Sequence, residues 1–195
     1  MHIVLINFKL RHICVFSIKK LMKSKGNIVF LGMMGSGKSS IGKLVSNKLE
    51  LNFFDIDQKI EEKFKMTISK IFNEKGEPFF RKVEEKITLD ILKKKRNVVA
   101  LGGGGFLNKK VREEVINNHL SFWLNNSSKT LIDRIKNNYK RPLAFNSTIN
   151  ELSSLIEKRS NIYSKALFKV DCDNLTKTEI SKKIINIYEN TKVNS

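Results

Sequence analysis

The residues whose types and spacing most directly indicate chemistry lie in segment 30–40, which reads FLGMMGSGKSS. Gly32, Gly37, Lys38 and Ser39 occupy the fixed positions of the pattern G-x-x-x-x-G-K-[ST]. In such a loop backbone N–H groups surround phosphate oxygens, the lysine contacts the β- and γ-phosphates, and the hydroxyl binds Mg²⁺. Motors, switches and transporters use the same loop, so it does not by itself indicate a phosphoryl acceptor.

A pair of aspartates follows in the segment LNFFDID, at Asp55 and Asp57. If the segment is extended to its end, both carboxylates lie on one face at the carboxyl end of a strand, where α/β sheets bind ligands. One acid could then help hold Mg²⁺ through water while the other accepts a hydrogen bond from an attacking hydroxyl. Asp57 also precedes the helical segment QKIEEKF, so a role as a helix N-cap stays open.

The elements that must position these groups alternate between short apolar strands and helices. This order predicts an α/β fold of three layers, α/β/α, with a central parallel sheet covered by helices on both faces. We predict five strands at 28–31, in LNFFDID, in NVVALGGGG, in HLSFWL and in KVDC, and helices at 38–49, at 127–138, at 176–189 and, in two pieces separated by KGEP, at 67–95.

The second of those two helical pieces carries an apolar stripe of Phe80, Val83, Ile87 and Ile91. We expect Arg81 and Glu84, one turn apart, on the opposite face. Segment 139–153, YKRPLAFNSTINELS, has turn residues and weak hydrophobic periodicity, which predicts a mobile loop.

The composition, with 195 residues and 41% hydrophobic content, is typical of one domain with a substantial core. The net charge is +18, from 37 Lys and Arg against 19 Asp and Glu, and such a surplus can attract nucleic acid. The sequence has 30 Lys and only 7 Arg, and its lysines are scattered rather than grouped on a basic helix. We therefore attribute the charge to surface drift and predict no nucleic-acid partner.

The cysteines and histidines indicate neither a disulfide framework nor a zinc site. Cys14 and Cys172 are far apart, and neither has a second Cys or His at metal-ligand spacing. A structural role is expected for His119, which precedes an apolar strand. The cytoplasm is the predicted compartment.

The first segment, 1–21, is basic and free of acids, and its apolar runs are too short to span a bilayer. Met22 begins a normal lead into the first strand, so segment 1–21 is interpreted as a dispensable extension or a misassigned start, with an organelle presequence as the alternative. Residues 22–195 are predicted to form a single domain with no membrane partner.

Further motifs show a family resemblance: FFRKVEE at 79–85, LGGGG at 101–105, KRPL at 140–143, and Arg159 four residues before Tyr163. Together with the phosphate loop and the D-x-D pair, they resemble the shikimate kinases over about residues 26–169. These P-loop enzymes transfer the γ-phosphate of ATP to the 3-hydroxyl of shikimate. The resemblance implies a P-loop kinase with a mobile lid at about 139–153.

The resemblance also implies roles for individual residues. Asp57 would orient or deprotonate the attacking hydroxyl, Glu84 would hold Arg81, and Phe72 and Phe80 would wall the substrate pocket. The implied catalytic residues are Asp57, Lys38 and Arg141; the nucleotide-binding residues are Gly35, Ser36, Gly37, Lys38, Ser39, Ser40, Arg134, Arg141 and Lys177; the substrate-binding residues are Asp57, Arg81, Gly103, Gly104 and Arg159; the metal ligands are Ser39 and Asp55.

One position departs from the family pattern. Lys177 stands about where the family usually has a proline against the adenine, which leaves the base preference open. The expected cofactor is one Mg²⁺ per subunit, the expected substrates are ATP and shikimate, and the expected state is a monomer. The alternatives are a related small-molecule kinase, such as a gluconate kinase, and a P-loop regulatory or nucleic-acid-binding module.

Overall fold

The computed structural model of this protein describes residues 26–136 and 147–193. Its sheet has five strands, β1 to β5, all paired in parallel in the order β2-β3-β1-β4-β5. The strands are β1 Ile28–Leu31, β2 Asn52–Asp55, β3 Asn97–Ala100, β4 Leu120–Asn125 and β5 Phe168–Asp171. The predicted parallel five-stranded sheet is therefore confirmed.

The described residues form seven helices, of which the last follows the final strand. They are α1 Lys38–Leu49, α2 Ile56–Phe64, α3 Ile68–Leu92, α4 Lys109–Asn118, α5 Ser128–Lys136, α6 Ile149–Tyr163 and α7 Lys177–Val193, with a short 3₁₀ turn at Gly105–Leu107. Helix α3 is two helical pieces joined at Gly76, whose φ of 78° and ψ of 163° are not helical. The predicted break at KGEP is thus present.

The apolar residues of the strands divide between the two faces of the sheet. In β1, Ile28 and Phe30 belong to the core beneath α1 and α7, whereas Val29 and Leu31 belong to the core shared with α2 through α6. Alternate residues of a strand point to opposite faces, so this division produces the predicted three layers. Every residue of β1 is buried because both faces are covered.

Two expectations for the site elements were wrong. Asp57 lies in the first turn of α2 and not on an extended segment, because the strand ends at Asp55. Glu84 lies on the buried side of α3 together with Phe80 and Thr88, since these residues are four apart and share one face. Arg81, in contrast, is partly exposed.

The predicted loop 139–153 is also corrected in its last part. Helix α6 begins at Ile149, and Leu152 is buried. Thr148 and Glu151 form a capping box, in which each side chain accepts a hydrogen bond from the other residue's backbone N–H. Residues 139–146, which contain Arg141, and segment 1–21 lie outside the described residues. No described helix is long and apolar enough to cross a membrane.

Candidate active site

The phosphate loop connects β1 to α1, and its glycines set its shape. Gly35 and Gly37 have φ angles of 80° and 96°, a backbone region that favours glycine. Lys38 is buried, and its ammonium donates hydrogen bonds to the carbonyls of Gly32 and Met33 at 2.8 and 2.9 Å. These contacts hold the charge against the loop, at the N-terminus of α1, where anions bind.

Ser39 and Asp55 bring two side-chain oxygen atoms together beside this loop. The Ser39 hydroxyl donates to Asp55 Oδ2 at 2.5 Å, and Asp55 Oδ1 accepts from the Gln58 N–H at 3.3 Å. Asp55, rather than Asp57, is therefore the N-cap of α2. No three His, Cys, Asp or Glu side chains of the described ranges form a metal cluster. Two oxygen donors fit Mg²⁺, which takes its other ligands from phosphates and water.

The carboxyl end of β3 continues into Gly102, around which two acids meet. A Cβ atom at Gly102 would overlap both Asp57 Oδ1 and Glu84 Oε1, so only glycine leaves room for the two carboxylates. Glu84 is 3% exposed, and its Oε1 has no hydrogen-bond partner among the described residues. Burial raises the pKa of Glu84, the Arg81 charge acts to lower it, and the Asp57 charge acts to raise it.

Arg81 connects this acid pair to the next glycine. Its Nη1 donates to Glu84 Oε2 at 2.7 Å, while its Nε and Nη2 both donate to Glu77 Oε1. The attraction of these two acids outweighs burial, the largest single influence, and raises the pKa of Arg81. A Cβ atom at Gly104 would overlap this guanidinium. The rings of Phe80 and Phe72 lie beside it, with centroids 5.1 and 5.9 Å from its Cζ.

Arg159 approaches Gly103 from α6. Its Nη1 donates to the Gly103 carbonyl at 3.4 Å and lies 3.6 Å from Met33 Sδ. Arg159 is largely buried, and its Nε has no partner among the described residues. Three consecutive glycines thus bring together two acids and two guanidinium groups at the carboxyl edge of the sheet.

Arg134 lies on the other side of the phosphate loop. Its Nη1 donates to the Gly35 carbonyl at 3.2 Å and to Asn126 Oδ1 at 3.1 Å. Ser36 is buried and Ser40 is half-buried in or beside the loop, and Lys177 is exposed as the first residue of α7. Arg134 therefore joins α5 to the loop that the sequence predicts to bind phosphate.

Sequence reasoning gave no role to three residues that hold this arrangement: Glu77, Asn126 and Tyr163. It noted Tyr163 only for its spacing from Arg159. The Tyr163 hydroxyl donates to the Gly103 carbonyl at 2.5 Å. A local signal for its helix was present, because Thr148-x-x-Glu151 is a capping-box pattern. That pattern predicts a helix on which Arg159 and Tyr163 share a face.

The sheet order, the loop after β1, and the acids and arginines at the carboxyl edge define a P-loop phosphotransferase with a site for an anionic acceptor. A family model described as "Shikimate kinase" matches residues 34–189. The chain belongs to the shikimate kinase family. It is an ATP-dependent phosphotransferase that acts on shikimate, as the motifs predicted.

Individual relatives agree with the family model. The chain is 42% identical to the shikimate kinase of Bacillus subtilis over 82% of its own length and 87% of the relative's. It is 40% identical to that of Thermodesulfovibrio yellowstonii over 84% and 95%. A shikimate kinase structure from Acinetobacter baumannii, in complex with shikimate, is similar with a TM-score of 0.82 and 26% identity, over 89% of this chain and 98% of that one.

Proposed function

We propose that ATP lies with its phosphates in the loop Gly32–Ser39 and that shikimate lies against Gly102–Gly104. The observation that carries this assignment is the cluster at those glycines, where Asp57, Glu84 and two arginines surround backbone that has no side chains. A ring compound with one carboxylate and several hydroxyls requires this combination of cations, acids and close backbone approach.

At the nucleotide end, the Lys38 ammonium donates to the carbonyls of Gly32 and Met33. When ATP is bound in the loop, this ammonium would contact the β- and γ-phosphates instead. Ser39 and Asp55 would hold Mg²⁺, which when bound neutralises charge on the phosphate oxygens. Gly35, Ser36, Gly37 and Ser40 would complete the phosphate cradle. Arg134, with Lys177, would lie against the base. The family resemblance assigns Arg141, which is outside the described residues, to the transferring phosphoryl group.

At the acceptor end, Arg81 and Arg159 hold the shikimate carboxylate. A guanidinium can form two parallel N–H bonds to a carboxylate and so fixes the orientation of the ring. Glu84 holds Arg81 at 2.7 Å and offsets part of the positive charge when the site is empty of its anion. Gly103 and Gly104 allow the ring to approach the backbone.

Asp57 is the group that accepts the proton of the 3-hydroxyl as the phosphoryl group transfers. Its carboxylate lies at Gly102, next in sequence to the glycines that Arg159 and Arg81 approach. A positioned base of this kind contributes about 10²- to 10⁴-fold to a rate.

The test is ADP release by the purified chain with shikimate, gluconate or AMP offered in turn. Acceleration by shikimate alone is expected. The methyl ester of shikimate, which lacks the carboxylate charge but keeps the 3-hydroxyl, should react with a much higher KM and a similar kcat. Equal KM values for acid and ester would contradict the arginine assignment, and equal acceleration by gluconate would contradict the acceptor.

We further propose a cytoplasmic monomer that binds neither nucleic acid nor membrane, with residues 1–21 dispensable. Turnover by a chain shortened to begin at Met22 measures the last point. A rate within about twofold of the full chain is expected because the first strand begins only at Ile28.

A further inference from the structure

Tyr163 places a phenol in the core of the larger cluster, on the last turn of α6. The residue is 2% exposed, and its ring lies 6.2 Å from the ring of Trp123 in β4. Burying a hydroxyl in such surroundings costs free energy unless the hydroxyl is hydrogen-bonded. The Tyr163 hydroxyl meets this requirement by donating to the Gly103 carbonyl at 2.5 Å, across sixty residues of sequence.

The same carbonyl is also the backbone contact of Arg159, one turn earlier on α6. The two distances that fix Arg159 Nη1 are long, 3.4 Å to the Gly103 carbonyl and 3.6 Å to Met33 Sδ. In the described part of the chain its Nε has no partner. The guanidinium therefore shares this carbonyl with the Tyr163 hydroxyl, which lies closer to it and also interacts with the Arg159 side chain.

Gly103 also lies beside the phosphate loop. A Cβ atom there would lie 3.4 Å from the Met34 backbone nitrogen and 3.7 Å from Arg159 Nη1. A small rotation of the peptide after Gly103 would thus change the backbone surface at the acceptor end and the support of Arg159 together.

We infer that Tyr163 is a positioning residue for the acceptor: its hydroxyl fixes the Gly103 carbonyl and, through it, the guanidinium of Arg159. This inference rests on the proposed function, in which Arg159 and Gly103 contact shikimate. Tyr163 itself acts through those two residues.

Burial raises the pKa of Tyr163 to about 12, although the Arg159 charge acts to lower it. The phenol is therefore protonated, and able to donate, throughout the neutral range. The contribution of its hydroxyl should not change between about pH 6 and pH 9.

The test is Tyr163→Phe, which removes the hydroxyl and keeps the ring in the core. We expect the KM for shikimate to rise about fivefold, roughly 1 kcal/mol of binding, with kcat and the KM for ATP within about twofold of the parent. The ratio of the variant's shikimate KM to the parent's should be the same at pH 6 and pH 9. Tyr188→Phe in α7, which packs in the other core cluster, is the matched control and should leave all three constants unchanged.

A purely structural role predicts a different result. In that case Tyr163→Phe would lower the melting temperature and change both KM values and kcat together, or change none of them. Either outcome would overturn the inference. Differential scanning fluorimetry on the same preparations separates a change in stability from a change in shikimate binding.

A double-mutant cycle with Arg159→Lys separates this inference from the proposed function. Coupling is expected, so the double variant should raise the shikimate KM by less than the product of the two single effects. Additive effects would overturn the inference. If Arg159→Lys raises the KM and Tyr163→Phe does not, only the inference fails. If Arg159→Lys leaves the KM unchanged, the proposed carboxylate site fails.

Discussion

Buried polar side chains gather at both edges of the sheet, and at the amino edge they bind one another. Asn27 precedes β1, and its Oδ1 accepts from the backbone and the side chain of Asn97, the first residue of β3. Its Nδ2 donates to the Leu92 carbonyl, and its own N–H donates to His119 Nδ1 just before β4. These contacts join three adjacent strands without any ligand.

At the carboxyl edge, buried polar groups keep unused hydrogen-bonding capacity. Among the described residues, Ser36 Oγ, Glu84 Oε1 and Arg159 Nε are buried and have no hydrogen-bond partner. At the amino edge His119 Nε2 also has none, but it lies 3.4 Å from Glu114 Oε1. Burying such groups costs stability, and the cost is recovered when a ligand of complementary charge binds. The comparison indicates that polar groups at the amino edge are used mainly within the fold, whereas those at the carboxyl edge keep capacity for a ligand. Variants at the carboxyl edge should therefore change the kinetic constants without lowering the melting temperature. Variants at the amino edge should lower the melting temperature without changing the kinetic constants.

The largest effect is expected at the carboxyl edge, from Asp57→Asn. The amide keeps the shape of the side chain but cannot accept the hydroxyl proton, so kcat should fall about a hundredfold or more. The melting temperature should stay the same or rise, because a negative charge beside Glu84 is removed. Steady-state kinetics and thermal unfolding measure both quantities. If Asp57→Asn retains most of its turnover, Asp57 is not the base and has only a structural role in the first turn of α2.

The opposite signature is expected from Asn27→Ala at the amino edge. The change leaves the buried Asn97 N–H and Leu92 carbonyl without this partner, at a cost of about 3 kcal/mol of unfolding free energy. That corresponds to a melting temperature lower by roughly 6 to 12 °C. Both KM values should be normal in the folded protein at 25 °C.

Asn52→Ala is the control for this prediction, because Asn52 is exposed and its side-chain hydrogen bond to Asn97 is 3.4 Å long. It should change the melting temperature by no more than a few degrees. A kinetic defect in Asn27→Ala without loss of stability would contradict the division between the edges.

A smaller change at the carboxyl edge is Arg81→Lys, which keeps the charge. An ammonium cannot hold Glu77, Glu84 and a carboxylate at once in the geometry of the guanidinium. The shikimate KM should rise about tenfold, roughly 1.4 kcal/mol, while the ATP KM stays nearly unchanged. Arg96→Lys, at an exposed turn before β3, is the matched control. A normal shikimate KM in Arg81→Lys would show that Arg81 forms only a structural ion pair and does not bind the shikimate carboxylate.

The smallest effect concerns pH and the amino edge. Burial lowers the pKa of His119 below its ordinary value of about 6.5, against the opposing influence of Glu114. The unfolded chain therefore binds more protons just below pH 6.5, and stability falls as the pH drops through that range. His119→Asn keeps an acceptor for the Asn27 N–H and does not titrate, so its melting temperature should fall less between pH 7.5 and 5.5. An equal fall in melting temperature for the parent and for His119→Asn would contradict the assignment of this pH dependence to His119.

The phosphate loop and the strands could be predicted because their signals are local. The glycine spacing at Gly32 and Gly37 specifies the loop, and apolar runs such as IVFL specify buried strands. Helix α6 was missed despite its capping box, because the segment before Thr148 has the composition of a loop. Glu84 was assigned to the exposed side because a charge on an amphipathic helix normally faces solvent.

The sequence by itself determined the order of the strands, the phosphate loop and the family, and it proposed the candidate site residues, since each depends on neighbouring residues or on fixed spacing. Only the tertiary structure decided which groups meet. The burial of Glu84 beside Asp57 and the bond from Tyr163 to Gly103 join segments far apart in the chain. Such contacts depend on how α3 and α6 pack against the carboxyl edge of the sheet, and no local pattern encodes the distance between two side chains that packing brings together.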